Sequence, residues 1–262
     1  MMRIGIIGNG KMGRIHEHAY QLLGLDPLVA DVKPGYLNPS ELLKQVDAVS
    51  ICTPSETHAE LVIEALRHHV SVLVEKPLCM NMIEAEKVQE AKEKSTGLIA
   101  VGYCERFTPG IEAVAPAKAY HTFRLAPESK RDPLTDTACH DIDLILYLTK
   151  PKQVWIEPGT VEKRSNWIKF NWRVDGIPVC STAGEGPYRR EIIGSKTLTL
   201  NNRTNVDSEV ACFVKSVKNG CLKKPLCTLK EAVKVQSVIH MVSRNGNIDD
   251  YIDPTGTFVK ML

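Results

Sequence analysis

The first hundred residues switch repeatedly between short runs that are apolar throughout and stretches with helical periodicity, which leaves few architectures open. "RIGIIG" is followed by a helical stretch whose face holds Met12, Ile15, Ala19 and Leu22, and then by "PLVAD" at 27–31. "DAVSICT" (47–53) precedes a helix face of Ala59, Val62, Ile63 and Leu66, "SVLVE" (71–75) precedes a helix over 80–94, and "LIAVGY" (98–103) closes the series. A strand that is apolar along its whole length must be covered on both faces, and successive parallel strands need crossover helices. The spacing therefore predicts a doubly wound parallel α/β sheet over residues 1–103.

After about residue 104 the pattern changes. "AYHTFRLA" reads as a strand, "TACHDIDLILYLT" (137–149) as a helix, and "WIKFNWRV" alternates with period two. "GIPVCSTAG" follows the turn "VDG", and "REIIGSKTLTLN" gives two strands about a Gly-Ser turn. Helices over 206–218 and 228–244 follow, the first stopped by Asn219-Gly220. Residues 104–262 are expected to form an α+β domain with a mainly antiparallel open sheet. With 43% hydrophobic residues, the chain has enough apolar side chains for a substantial core.

Lys and Arg number 33 against 31 Asp and Glu, for a net charge of +2, and the basic residues are scattered, so no nucleic-acid footprint is expected. The eight cysteines show no C-x-x-C and no regular spacing, which favours reduced thiols over disulfides or a metal site. Charges interrupt every apolar stretch well short of the ~20 residues a membrane span needs. With no signal peptide apparent, a soluble cytoplasmic protein is expected.

"GIIGNGKMG" sets Gly8, Gly10 and Gly13 between the first strand and the first helix, with Lys11 and Met12 inside the motif. In G-x-G-x-x-G the first glycine makes a tight turn, the second admits a pyrophosphate to the backbone, and the third allows close helix–strand packing. Asp31, at the end of the second strand, is placed to accept hydrogen bonds from adenosine ribose hydroxyls and to repel a 2′-phosphate, so NAD is favoured over NADP, with Lys33 nearby. "CTPSETH" follows the next strand, where Thr53 and Pro54 would line the nucleotide. There Ser55 reads equally as a helix cap, and His58 as a first-turn residue or a cofactor contact.

"VEKP" ends a later strand beside the same crevice. Lys76 would reach the nicotinamide and a substrate oxygen, Glu75 would hold charge nearby, and Pro77 would fix the turn; a structural ion pair at a strand end explains the spacing equally well. In "LTDTACHDIDLILYL", Asp136 and His140 lie four apart, and an imidazole beside a carboxylate suits proton transfer from an alcohol. Spacing alone favours the plainer account, with Asp136 a cap, Asp141 and Asp143 partners of the helix dipole, and His140 a half-buried packing residue.

Taken together, "GIIGNGKMG", "CTPSETH", "VLVEKPLCM", "VGYCERFTP" and "DTACHDIDLILYL" resemble, in order, the motifs of the glucose-fructose oxidoreductase, inositol dehydrogenase and rhizopine catabolism (Gfo/Idh/MocA) family of NAD(P)-dependent sugar dehydrogenases. The resemblance implies an amino-terminal Rossmann domain and a carboxyl-terminal domain that binds a sugar or nucleotide-sugar substrate and makes homodimer or homotetramer contacts. It also implies that Lys76 orients the substrate oxygen, that His140 takes the hydroxyl proton, that Asp136 binds a hydroxyl or tunes His140, and that Arg106 lies near the nicotinamide. That reverses the plainer account of His140. "GYCERFTPGIEA" is similar to a segment of enzymes acting on UDP-N-acetylglucosamine, whereas the second domain is compact for the family. An amino-acid or imine reductase of similar size and a non-catalytic NAD-binding module are the rival readings.

Overall fold

A computed structural model describes residues 2–127, 132–157, 159–200, 205–244, 250–252 and 258–260. The order is β1 (Ile4–Ile7), α1 (Lys11–Leu22), β2 (Leu28–Ala30), α2 (Pro39–Leu43), β3 (Ala48–Ile51), α3 (His58–Arg67), β4 (Ser71–Glu75), α4 (Met82–Glu93) and β5 (Ile99–Gly102). Then come β6 (Tyr120–Ala126), α5 (Cys139–Thr149), β7 (Val154–Ile156), β8 (Glu162–Arg164), β9 (Trp167–Val174), β10 (Ile177–Glu185), β11 (Arg189–Ile193) and β12 (Thr197–Thr199). The last elements are α6 (Asn205–Lys218), β13 (Cys227–Thr228), α7 (Leu229–Ser243), β14 (Asp250–Ile252) and β15 (Phe258–Lys260).

The chain forms two compact units, residues 1–107 with 203–229, and residues 108–202 with 230–262. The single boundary after residue 103 expected from the sequence is thus replaced by a chain that leaves the first unit and returns to it. The cause is apolar: Val206, Val210, Phe213 and Val214 of α6 join Ile4, Ile6, Tyr20, Leu73 and Ala100 in one buried cluster. An amphipathic helix belongs to whichever sheet covers its stripe, and periodicity does not say which.

In the first unit the sheet order is β13-β5-β4-β3-β1-β2, all parallel except β13, which pairs antiparallel with β5 through Cys227 and Val101. Every residue of β1, β3, β4 and β5 is buried, as apolar strands covered on both faces require. Strand order reverses between β1 and β3, and an open α/β sheet presents its ligand crevice at such a point, outside the carboxyl ends of the strands. Gly8 leaves β1 there, and Cys52 and Thr53 leave β3.

In the second unit the strands run β12-β11-β6-β10-β9-β7-β14-β15, with β8 paired to β9. The ladders are antiparallel apart from β6 with β10. Along β9, Ile168, Phe170, Trp172 and Val174 are buried and alternate with half-buried neighbours, giving the sheet one inward face. Two buried polar groups there are satisfied by Ser181, whose Oγ accepts from Trp172 Nε1 and from Thr122 Oγ1, each at 3.0 Å.

A candidate dinucleotide site and a helix carrying an imidazole

The cradle begins where β1 turns into α1. Gly8 sits at φ +100°, a conformation L side chains rarely adopt, and its N–H donates to the carbonyl of Ala30 at 2.8 Å. A Cβ on Gly13 would lie 1.9 Å from the Gly8 carbonyl oxygen, so a side chain there would push α1 off β1. A Cβ on Gly10 would meet nothing within 4 Å, which leaves open space over the turn. Gly10 caps α1 without a side-chain hydrogen bond, and the first turn carries no acidic residue, so its amides and the positive end of the helix are available to an anion.

Asp31 flanks this cradle. Its Oδ2 accepts from the Asn9 N–H at 2.7 Å and its Oδ1 from the Lys33 N–H at 3.0 Å. The Asn9 bond chiefly, with help from Lys33, holds the carboxyl below its ordinary range against the opposing effect of burial. An ionised carboxylate at this place keeps lone pairs for ribose hydroxyls. Lys11 is exposed, while Met12 is half-buried against the core cluster, so the cradle meets a ligand at this point through backbone more than through the Met12 side chain. These residues fit a dinucleotide.

Thr53 is half-buried and its Oγ1 accepts from Thr57 Oγ1 at 2.7 Å, while Pro54 is exposed beside it. His58, read equally as a first-turn residue or a cofactor contact, is the first residue of α3 and is 1% exposed. Its Nδ1 lies 2.7 Å from the Pro77 carbonyl and its Nε2 3.0 Å from that of Thr53, so the ring stitches the loop after β3 to the turn after β4.

Glu75, expected to hold charge beside the crevice, is buried, and its Oε1 lies 3.1 Å from Nε2 of His16 on α1. Half-buried Lys76 follows directly after the end of β4, and the Lys76–Pro77 peptide is cis. Arg106, expected near the nicotinamide, is 2% exposed in the turn Cys104–Phe107, with Nη1 donating to the Pro225 carbonyl at 3.4 Å. Its guanidinium ties the return segment to the first unit.

The residue that sequence reasoning missed is His16. The stripe expected on α1 was Met12, Ile15, Ala19 and Leu22, but the buried set is Gly13, His16, Ala19 and Tyr20, and Leu22 is 62% exposed. His16 is fully buried, with Nδ1 3.0 Å from Ser50 Oγ, which lies 2.8 Å from the Tyr20 hydroxyl. Burial draws the imidazole down, and the Cys52 sulfur and the Glu75 carboxylate draw it up well beyond its ordinary value. Burial also raises the Cys52 thiol, against the opposing pull of His16. Glu75, for its part, is disfavoured by desolvation but held below its ordinary value by the His16 bond and charge. No spacing rule flags a histidine that finds its partner fifty-nine residues away.

In the second unit, a π-helical turn over Pro133–Ala138 runs straight into α5, so Asp136 and His140 belong to one helical run, and both are half-buried. The cap is Asp132, whose Oδ1 accepts from the N–H of Leu134 at 3.0 Å and of Thr135 at 2.6 Å; Asp136 stands one turn inside. Asp141, next to His140, is paired with Arg124 of β6, Nε to Oδ1 at 2.9 Å, with both side chains buried. That pair fixes the turn bearing His140 to its sheet. Among the described residues no group of three or more His, Cys, Asp or Glu side chains could hold a metal ion, and no helix is long and apolar enough to cross a membrane.

A glycine cradle at the strand-order reversal of a parallel sheet defines a nucleotide-binding Rossmann domain. Residues 27–103 match a family model described as "Oxidoreductase family, NAD-binding Rossmann fold". The chain is 31% identical over 175 residues to the UDP-N-acetylglucosamine 3-dehydrogenase of Acidithiobacillus ferrooxidans, covering 58% of this chain and 56% of that protein. It is 26% identical to the myo-inositol 2-dehydrogenase of Thermotoga maritima, over 56% of this chain and 54% of that one. The matches thus span about half the length of these relatives.

Among solved structures, the Acidithiobacillus enzyme superposes with a TM-score of 0.80 at 21% identity, over 94% of this chain and 97% of that one. A scyllo-inositol dehydrogenase from Lactobacillus casei, solved with NAD(H) and scyllo-inositol, gives 0.76 at 18% identity, over 97% of this chain and 99% of that one. These show a shared fold. Residues 27–103 are thus similar to the NAD-binding Rossmann domains of the Gfo/Idh/MocA oxidoreductases, a likeness that extends to the sugar and inositol dehydrogenases named above.

Proposed function

We propose that the protein is an NAD-dependent dehydrogenase acting on a secondary hydroxyl of a sugar, cyclic polyol or nucleotide sugar, working in the cytoplasm as a homo-oligomer. The observation that carries this reading is the uncapped α1 amino terminus over a glycine cradle, with an ionised carboxylate at the end of β2. The turn amides and Asp31 would hold the dinucleotide, and Asp31 disfavours a 2′-phosphate. Bound NAD supplies the hydride acceptor.

His140 accepts the proton of the substrate hydroxyl, Asp136 tunes that imidazole or binds a neighbouring hydroxyl, and the Lys76 ammonium orients the oxygen as negative charge develops on it. UDP-N-acetylglucosamine and inositols are the first substrates to try, since the relatives named above act on them. Purified protein with NAD and this panel should generate reduced cofactor absorbance. Lys76→Ala and His140→Ala should each lower kcat by about a hundredfold or more while NADH affinity changes by about threefold at most. Full activity in both variants would overturn the assignment of roles.

A further inference from the structure

We propose that His16 is a positioning residue for Lys76, acting through a buried, hydrogen-bonded ion pair with Glu75 that joins the dinucleotide-binding helix to the strand end carrying the lysine. The proposal rests on the reading that Lys76 orients the substrate oxygen.

His16 lies two turns into α1, whose first turn bounds the glycine cradle, and Glu75 is the last residue of β4. A carboxylate only accepts hydrogen bonds, so Nε2 of His16 donates across the 3.1 Å gap to Glu75 Oε1. The other ring nitrogen faces Ser50 Oγ, which meets Tyr20 OH, so the imidazole is held from both sides inside the core. The other titratable groups around the pair are Cys52, which acts on His16, Glu209, which acts on Tyr20 and Cys52, and Lys76 and His58, whose charges act on Glu75.

Space is reserved for this arrangement. A Cβ on Gly102 of β5 would lie 3.3 Å from Glu75 Cα and 3.4 Å from its Cδ, tighter than ordinary contact. A core that only needed filling would place an apolar pair here, because burying two charges costs free energy unless geometry and hydrogen bonds return it. What an ion pair adds is direction. It fixes how Glu75 sits at the end of β4, and Glu75 is the residue from which the backbone carrying Lys76 departs. His58 holds the following turn by the Pro77 carbonyl, so Lys76 stands between two anchored neighbours.

The test compares the full-length protein with His16→Gln, which keeps a donor toward Glu75, and His16→Leu, which has none. Reductive methylation with formaldehyde and cyanoborohydride, quantified by mass spectrometry, reads the freedom of Lys76 against Lys87 and Lys92 on α4. In His16→Leu, labelling of Lys76 should rise about threefold or more with the reference lysines unchanged, and His16→Gln should restore most of the wild-type rate. With a substrate from the panel, His16→Leu should lose about tenfold in kcat while NADH binding, read by fluorescence, changes by about twofold at most.

Wild-type Lys76 labelling in folded His16→Leu would overturn the proposal. Should that variant fail to fold, long-range nitrogen-15 spectra of the wild-type protein decide it: both His16 nitrogens protonated at pH 7.5 support the ion pair, and a neutral ring removes it. If no sugar or polyol is turned over, the dehydrogenase reading falls, while the labelling and the spectra still judge the role of His16.

Discussion

Gly10 and Gly13 belong to one motif, yet the backbone asks different things of them. Gly13→Ala drives a Cβ to 1.9 Å from the Gly8 carbonyl and should cost about 3 kcal/mol or more of stability, read from denaturant midpoints. Gly10→Ala meets no protein atom, so it should leave stability within about 1 kcal/mol of wild type and weaken NADH binding about tenfold. Equal loss of stability in both would mean that Gly10 only supports the fold. The His16–Glu75 pair makes a pH prediction. The histidine is raised above its ordinary 6.5, so its contribution is complete below that pH and fades as pH rises through the folded value. The glutamate is lowered beneath its ordinary 4.5, so its contribution is complete above that pH and fades as pH falls through the folded value. The stability gap between wild type and His16→Gln should therefore be widest between pH 4.5 and 6.5 and narrow in alkali, as urea titrations across pH would show. A gap that stays flat from acid to alkali would mean the pair is not ionised.

The helices show how far local pattern reaches. On α3 the expected face of Ala59, Val62 and Leu66 is buried, with Ile63 half-buried beside it. On α1 the stripe is rotated by about one residue, because a polar side chain with a carboxylate partner takes a core place that hydrophobicity alone assigns to Ile15. The same blindness applies at α5. Asp136 and His140 were legible as a pair four apart, but the capping role of Asp132 and the π-helical turn were not, since both depend on how the backbone enters the helix. Nor was Arg124 legible as the partner of Asp141, because cross-element pairing leaves no periodic trace. Replacing Arg124 with Met strands a buried carboxylate and should cost about 3–5 kcal/mol. Arg124→Met combined with Asp141→Leu should recover most of that loss in thermal unfolding, and failure to recover would show that the pair does more than satisfy itself.

At the scale of the whole molecule, the parallel sheet was readable because five strands announce themselves by composition. The return of α6 to that sheet was not readable, because Val206, Val210, Phe213 and Val214 would suit any apolar surface. Phe213→Ala tests the allegiance. The side chain is wholly buried in the first unit's core, so the change should cost about 3–5 kcal/mol and should weaken NADH binding as that unit loosens. If stability fell while nucleotide affinity held at all temperatures below unfolding, α6 would be a passenger of the fold and not a wall of the nucleotide unit.

That return also orders events during biosynthesis. A ribosome that has released residues 1–107 has made all five parallel strands but not the helix that closes their core, and nearly a hundred further residues must emerge before Asn205 appears. At about 5–20 residues per second the sheet waits several seconds with an apolar side uncovered, which is the interval in which a chaperone would find it.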